Sequence, residues 1–117
     1  MKTKEIAEAF SGHRFVETYD HLADDVRWIL PGEATMEGKG AVVEACNSSA
    51  AEMAKLTSVE FTRFVSVADD HVAAIDALGR YVSPDGSVSV VSSADVYEFD
   101  RDGSVTTITS YAVELDI

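Results

Sequence analysis

Two aspartates and one arginine are the residues of this chain whose types and positions could do chemistry together. Asp76 and Asp95 each interrupt a run of small and apolar residues, and Arg63 interrupts the run before them. Two neighbouring carboxylates in a partly buried site cannot both ionise at low cost, so one stays protonated unless a cation lies beside them. Such a pair can supply a general base and an acid that donates a hydrogen bond to a developing oxyanion. We therefore take Asp95, Asp76 and Arg63 as the candidate catalytic residues.

Three turns divide the C-terminal half into four strands and allow the strand pairing to be predicted. The turn signals lie at residues 69–71, 84–86 and 100–103, where Asp, Pro and Gly cluster. We pair the residues that flank each turn, namely Val67 with Val72, Ser83 with Val88 and Phe99 with Val105. This register predicts one polar row across the sheet, made of Arg63, Asp76, Asp95 and Thr109. We expect the face that carries Val72, Phe99 and Val105 to lie toward the helices, because its side chains are bulkier.

The rows beside these residues, together with several aromatic rings, are candidates to bind a ligand. Aromatic rings combine a large apolar contact area with a polar tip, which suits a flat apolar or aromatic small molecule. The candidate substrate-binding residues are Trp28, Tyr97, Tyr111, Thr107, Thr109, Leu78 and Tyr19. Packing in an ordinary core is the competing interpretation for each ring.

The acidic row also has a purely structural interpretation. Arg63, Asp76 and Asp95 could form a satisfied ion-pair network, which perturbs pKa values without catalysing a reaction. Alternatively, a shift of one residue in the register could place these side chains on the solvent face, because such a shift moves every side chain of a strand to the other face.

The elements that must position these residues are helices in the first half and long strands in the second. Apolar spacing predicts helices at 3–10, 13–22 and 41–55, a short strand at 26–30, and strands at 58–68, 72–82, 88–99 and 105–115. We expect a single domain over residues 1–117, of the α+β class, with N-terminal helices packed on a strongly bent sheet that encloses a pocket.

Composition and charge exclude several classes of function. The net charge is −12, from 21 acidic and 9 basic residues, so the surface repels phosphate backbones and anionic headgroups. We expect no nucleic acid and no membrane as partners. Cys46 is the single cysteine, so an intrachain disulfide is impossible and a cytoplasmic location is expected. Its place on a helix suggests a core residue.

No metal site is expected from the remaining polar residues. His13, His21 and His71 lack ligand spacing, and we interpret them as solvated residues or caps. His21 with Asp24 and Asp25 is the least improbable exception. The turn from Asp100 to Gly103 looks like the start of a calcium loop, but the later ligands are missing.

Several short motifs, spread over nearly the whole chain, resemble the nuclear transport factor two-like superfamily and in particular its SnoaL-like polyketide cyclase branch. They are residues 25–32 (DVRWILPG), residues 38–42 (GKGAV) at the start of the long helix, residues 95–103 (DVYEFDRDG) and residues 105–111 (VTTITSY). The resemblance implies a conical fold with a pocket at its wide end and homodimers formed through sheet faces. It also implies that Asp95 or Asp76 matches the acidic base that relatives carry on an inner strand.

One pattern of that superfamily is missing. Its epoxide hydrolases carry an Arg two positions before the Asp, whereas here Ser93 precedes Asp95 and Ala74 precedes Asp76. A histidine partner for the base is not evident either. We therefore expect a small-molecule pocket protein, an enzyme of the cyclase or isomerase type that needs no cofactor, with Tyr97 or Tyr111 as hydrogen-bond donor. The alternative is a non-catalytic ligand-binding or dimeric interaction module of the same fold.

Overall fold

The computed structural model describes residues 1–116 of the chain. The elements, in chain order, are α1 (Thr3–Ser11), a 3₁₀ helix (Phe15–His21), β1 (Leu22–Leu30), β2 (Ala34–Glu37), α2 (Lys39–Ala54), β3 (Ser58–Ala68), β4 (Val72–Val82), β5 (Val88–Phe99) and β6 (Val105–Leu115). Among the described residues, no helix has the length and apolar character needed to cross a bilayer.

The predicted elements agree best with the structure in the second half of the chain. The four long strands have the predicted bounds, and α1 and α2 differ from the predicted helices by a few residues. The second predicted helix is a 3₁₀ helix, and β1 follows it at once, so Asp24 and Asp25 lie within a strand. The short strand β2 was predicted as a loop. Three of its four residues are exposed, so its sequence lacks the alternation of apolar and polar residues that indicates a strand.

The six strands form one open mixed sheet in the order β2-β1-β6-β5-β4-β3. Only β1 and β6 pair in parallel; every other pairing is antiparallel. The helices pack on one face, which we call the inner face, and leave the other, outer face bare. The predicted α+β fold, with helices on a bent sheet, is confirmed.

The hydrophobic core lies between the helices and the inner face. Its fully buried side chains include Ile6 of α1, Val42 and Cys46 of α2, and Ile75 and Ile108 of the sheet. Burying one such aliphatic side chain contributes about 1.5–3 kcal/mol relative to leaving it exposed. The prediction that Cys46 is a core residue is confirmed, and burial raises the pKa of its thiol to about 12.

The strand registers separate the two candidate aspartates. Asp76 lies opposite Val65 and Ala94, whereas Asp95 lies opposite Ile75 and Ser110. Because side chains alternate along a strand, Asp95 faces the helices and Asp76 faces away from them. The prediction of a single row containing both aspartates is therefore wrong.

Turn geometry and a bulge explain the error. The second hairpin closes with Val82 opposite Val88, one residue away from the predicted pair. In the third hairpin Phe99 pairs with Val105 as predicted, but a bulge between Glu98 and Phe99 shifts the rest of the ladder by one residue. Each shift of one residue reverses the faces. The predicted inner face is correct for Phe99 and Val105 but wrong for Val72, which is 44% exposed.

The first hairpin is offset by two residues near Arg63, so Arg63 and Asp76 still share a face. Arg63 lies opposite Leu78, and its Nη2 donates a hydrogen bond of 2.9 Å to Oδ2 of Asp76. Both side chains are about half exposed on the outer face. An exposed pair of this kind contributes about 0–1 kcal/mol. Arg63 and Asp76 thus form an exposed ion pair, as in the structural interpretation of the acidic row.

Helix α1 ends in a Schellman turn that is closed by His13. The N–H of His13 donates to the carbonyl of Phe10, and the N–H of Arg14 donates to the carbonyl of Ala9. His13 has φ = 66°, a left-handed conformation that usually selects glycine at this position. Just before it, a Cβ on Gly12 would lie 2.8 Å from the carbonyl oxygen of Glu8, so the turn also requires a glycine there.

Two glycine substitutions test this turn. We expect Gly12→Ala to lower the unfolding free energy by about 1–3 kcal/mol, because the new methyl group meets backbone that cannot move alone. Gly40→Ala in α2 is the control, since nothing lies within 4 Å of its Cβ position. Alanine is the better helix former, so this control should raise the unfolding free energy by up to about 1 kcal/mol. Urea denaturation measures both; equal changes would contradict the tight turn.

Candidate functional site

A cavity of about 210 Å³ lies between the inner face of the sheet, the end of α1 and the side of α2. Its walls are largely aromatic, formed by Phe10, Phe15, Trp28, Phe61 and Tyr81. Its polar groups come from Ser11, His13, Ser49, Ser93, Asp95 and Ser110. An apolar cavity with a few converging polar groups is the usual form of a small-molecule site. Its volume lies below the roughly 300–1,000 Å³ of pockets for drug-sized ligands, so a compact ligand fits.

A larger groove, of about 710 Å³, lies between the N-terminus and two hairpin turns. Two of its carboxylates stabilise the turns in which they lie. Asp69 accepts hydrogen bonds from the N–H groups of His71 and Val72, and Asp100 accepts them from the N–H groups of Asp102 and Ser104. Of the residues that the structure describes, no Phe, Tyr or Trp lines this groove. We therefore place the candidate site in the smaller cavity. Within residues 1–116, no cluster of three or more His, Cys, Asp or Glu side chains could hold a metal ion.

Asp95 is the single carboxylate that lines the cavity within the described part of the chain. Its Oδ2 accepts a hydrogen bond of 2.7 Å from the Ser11 hydroxyl. The Ser11 oxygen lies 2.5 Å from the hydroxyl of Tyr97, and since Ser11 donates to Asp95, Tyr97 donates to Ser11. No group in residues 1–116 donates to Oδ1 of Asp95. One carboxylate oxygen is thus anchored, and the other is free to act on a ligand.

His13 lies beside Asp95 in the same cavity. Its ring packs against Phe15, Phe61 and Tyr81, with centroid separations of 5.4–6.1 Å. Burial lowers the pKa of its imidazole, and the nearby charge of Asp95 opposes this effect only in part. The prediction that His13 is a cap is confirmed, because it closes the turn after α1, but its ring is buried rather than solvated. His13 lies near Asp95 without a hydrogen bond or an ion pair to it, so the expectation that no histidine pairs with the base stands. A non-glycine residue in a left-handed turn is a reason to look for a functional side chain.

The other candidate residues fall into four places. Trp28 lines the cavity, where its indole N–H donates to Ser110 at 2.9 Å. Tyr97 is fully buried, and its hydroxyl donates a hydrogen bond to the Ser11 hydroxyl. Tyr19 donates to Oδ1 of Asn47 outside the cavity, at the surface of the 3₁₀ helix. The outer face carries the rest of the predicted set, namely Arg63, Asp76, Leu78, Thr107, Thr109 and Tyr111.

Of the eleven polar or aromatic side chains named above for the cavity, sequence reasoning selected only Trp28 and Asp95 as site residues. Ser11 and His13 flank Gly12 in a segment that looked like simple helix punctuation, whereas Phe61 and Tyr81 belong to strands whose facing was not assigned. The usable signal was a histidine directly after a helix-ending Ser-Gly pair, where a second glycine is the common choice.

The sequence matches the SnoaL-like domain family over residues 3–108, so the chain belongs to this family. The membership predicted from the sequence motifs is confirmed. A search of curated proteins finds no match to the sequence.

Solved structures share the fold over almost the entire chain. An NTF2-like protein of unknown function from Cytophaga hutchinsonii is 28% identical, with a TM-score of 0.79 and coverage of 93% of this chain and 94% of its own. The epoxide hydrolase/cyclase-like enzyme SalBIII is 18% identical, with a TM-score of 0.69 and coverage of 95% and 90%. An epoxide hydrolase from M. tuberculosis is 17% identical, with a TM-score of 0.66 and coverage of 95% and 82%.

The titration of His13 tests the geometry of the site. We expect its pKa to lie below 6.5 and to fall further in Asp95→Asn, because that substitution removes the charge that favours the imidazolium. The groups that face His13 are Asp95 from β5, Tyr81 from β4 and, across an adjoining groove, Glu52 from α2. Histidine ring proton shifts in NMR give the value.

The same shift predicts a pH dependence of stability. A histidine whose pKa is lower when folded stabilises the folded state fully above about pH 6.5, and this contribution is lost as pH falls toward the folded pKa.

Asp76→Asn is the control for the NMR titration and should leave the His13 pKa unchanged, because Asp76 lies on the outer face. A His13 pKa above 6.5 would contradict the burial of the ring.

Proposed function

We propose that this protein is a small-molecule pocket protein that acts as a cofactor-independent enzyme of the cyclase or isomerase type. The observation that carries the proposal is a single carboxylate, Asp95, held at the wall of an aromatic cavity with one oxygen anchored and the other free. In this proposal Asp95 is the proton-transferring base. Asp76 and Arg63 support the sheet from outside and take no part in the reaction.

The surroundings of Asp95 suit proton transfer from a weakly acidic carbon. The Ser11 hydroxyl fixes the orientation of the carboxylate, and Tyr97 in turn fixes Ser11. His13 is neutral at pH 7, because burial lowers its pKa, so it can donate or accept a hydrogen bond without adding charge. Aromatic walls keep water away and bind a flat ligand by its faces.

Charge narrows the range of ligands. Asp95 supplies a negative charge to the cavity, and the chain as a whole has a net charge of −12. An anionic ligand is repelled both on approach and in the cavity. We therefore infer a neutral, compact, apolar or aromatic ligand.

The relatives support this proposal at the level of the family. SalBIII acts in pyran ring formation, and the M. tuberculosis relative is an epoxide hydrolase. Similar folds carry different reactions, so the fold itself does not select one of them. The absence of an Arg two positions before Asp95 favours proton transfer over epoxide hydrolysis. The alternative, a pocket that binds a ligand without turnover, shares the same walls. A cytoplasmic location, inferred from the single Cys46, stays a prediction.

Exchange of carbon-bound hydrogen tests the base directly. We use 2-tetralone in D₂O, because it is flat and neutral and its ketone acidifies the neighbouring CH₂ groups. The wild type should accelerate deuterium incorporation above the buffer rate, and Asp95→Asn should lose about 10²–10⁴-fold of that acceleration. Asp76→Asn should keep it. The ¹H NMR signals of the ketone give the rates.

Two results would separate the hypotheses. Binding of 2-tetralone without acceleration of exchange would favour the non-catalytic module. Equal acceleration by the wild type and Asp95→Asn would contradict Asp95 as the base.

We also propose that two copies associate through the outer face, because it carries apolar side chains that no helix covers. Those exposed by about half or more are Val65 (45%), Val67 (64%), Tyr111 (53%) and Val113 (63%). Large exposed apolar side chains that share one uncovered face are typical of interaction surfaces. The strong net negative charge opposes association of two copies, so salt should strengthen the dimer.

Substitution of Val113 tests this association. We expect twice the monomer mass for the wild type in light scattering coupled to size-exclusion chromatography, and the monomer mass for Val113→Lys. Val16→Lys is the control, because Val16 is 75% exposed but lies on the 3₁₀ helix. A wild-type monomer at every concentration, or a dimer in Val113→Lys, would contradict the proposal.

A further inference from the structure

Gly79 has no Cβ, and the ring of Tyr81 occupies the space that a side chain would need. A Cβ on Gly79 would lie 2.8 Å from Cε1, 2.9 Å from the hydroxyl oxygen and 3.0 Å from Cζ of Tyr81. Residues 79 and 81 share the inner face of β4, since they are two apart in one strand. The Tyr81 side chain therefore lies flat along the strand, directed back over Gly79.

This direction leads into the cavity and toward Asp95. Gly79 lies opposite Val91, and Ile75 lies opposite Asp95, so the two rows are four residues apart along β4. At about 3.3 Å per residue, this is roughly 13 Å measured along the strand. Ser93 lies between the rows, and all these positions of β5 line the same cavity. The Tyr81 hydroxyl, which lies over Gly79, and the Asp95 carboxylate thus line the same cavity from different rows of the sheet.

The Tyr81 hydroxyl is free to bind a ligand. Within residues 1–116 it makes no hydrogen bond to another side chain or to the backbone. Its ring borders both the cavity and an adjoining outer groove, where it stands near Met53 and His13. Burial and the charge of Asp95 raise the pKa of the Tyr81 hydroxyl, which therefore stays protonated and able to donate at neutral pH.

We propose that Tyr81 binds the end of the ligand that lies farthest from Asp95, and that Gly79 is the positioning residue that allows the Tyr81 ring to lie inside the cavity. This inference rests on the proposed function only in that the cavity binds a small molecule. It specifies the ligand class further: a flat neutral compound with its reacting group at one end and a hydroxyl or other hydrogen-bonding group at the other.

A stability cycle tests the packing of Tyr81 on Gly79 without any ligand. Gly79→Ala should lower the midpoint of thermal unfolding by a few degrees, because the methyl group displaces the end of the Tyr81 side chain from its packed position. In a Tyr81→Ala background the ring is gone, so Gly79→Ala should leave the midpoint unchanged or raise it, since alanine costs less than glycine in a strand. The same loss in both backgrounds would overturn the role of Gly79.

A matched pair of ligands tests the Tyr81 hydroxyl. The probes are 6-hydroxy-2-tetralone and 2-tetralone, which differ by one hydroxyl at the end remote from the ketone. The wild type should bind the hydroxylated probe about fivefold to tenfold more tightly, the effect of one neutral hydrogen bond. Tyr81→Phe should abolish this preference, and Gly79→Ala should abolish it as well. Calorimetry, or fluorescence of Trp28, measures the affinities.

The double variant Gly79→Ala/Tyr81→Phe completes the test. If Gly79 acts through the Tyr81 hydroxyl, the double variant and Tyr81→Phe show the same ratio of affinities for the two probes; a further change of this ratio in the double variant would overturn the inference. Equal binding of both probes by the wild type, or no binding of either, would also overturn it. Failure of the proposed catalysis looks different: deuterium exchange is then absent while the preference between the two probes remains.

Discussion

A short hydrogen-bonded chain from Tyr97 through Ser11 to Asp95 is the interaction on which the site depends. Ser11 is the last residue of α1, so the chain ties the end of this helix to the inner face of β5. Tyr97 is fully buried and needs a partner for its hydroxyl, and Ser11 meets that need while orienting Asp95. Because Ser11 is held in place, the Schellman turn that follows it also has a fixed position and directs His13 into the cavity.

The two faces of the bent sheet differ in what covers them and in the charged groups that they carry. Helices cover the inner face, which retains one carboxylate, whereas the outer face keeps the Arg63–Asp76 pair in contact with solvent. Burial makes the same chemical group behave differently on each side. Asp76 is neutralised by a cation and solvated, so it has little effect on neighbouring groups, whereas Asp95 influences the pKa values of His13 and Tyr81. Separating the two acids lets one of them serve a site.

Membership in the SnoaL-like domain family explains the shape of the molecule more than its chemistry. Structures that are 17–28% identical share the fold over most of their length. Function then depends on the few side chains that face the cavity, and these vary independently of the scaffold. In this chain the residues that face the cavity include His13, at a turn that usually selects glycine, and Tyr81, whose ring lies over Gly79.

The α+β class, the bounds of the four long strands and the burial of Cys46 were predictable from the sequence, because alternation of side chains and turn residues are local properties. The sequence also singled out Asp95. Which side chains share a face depends on contacts between strands, because a closing pair displaced by one residue and a single bulge each reverse the faces of a strand. Tertiary structure likewise brought Ser11 and His13, more than 80 positions away in the chain, to Asp95, a contact that no local pattern encodes.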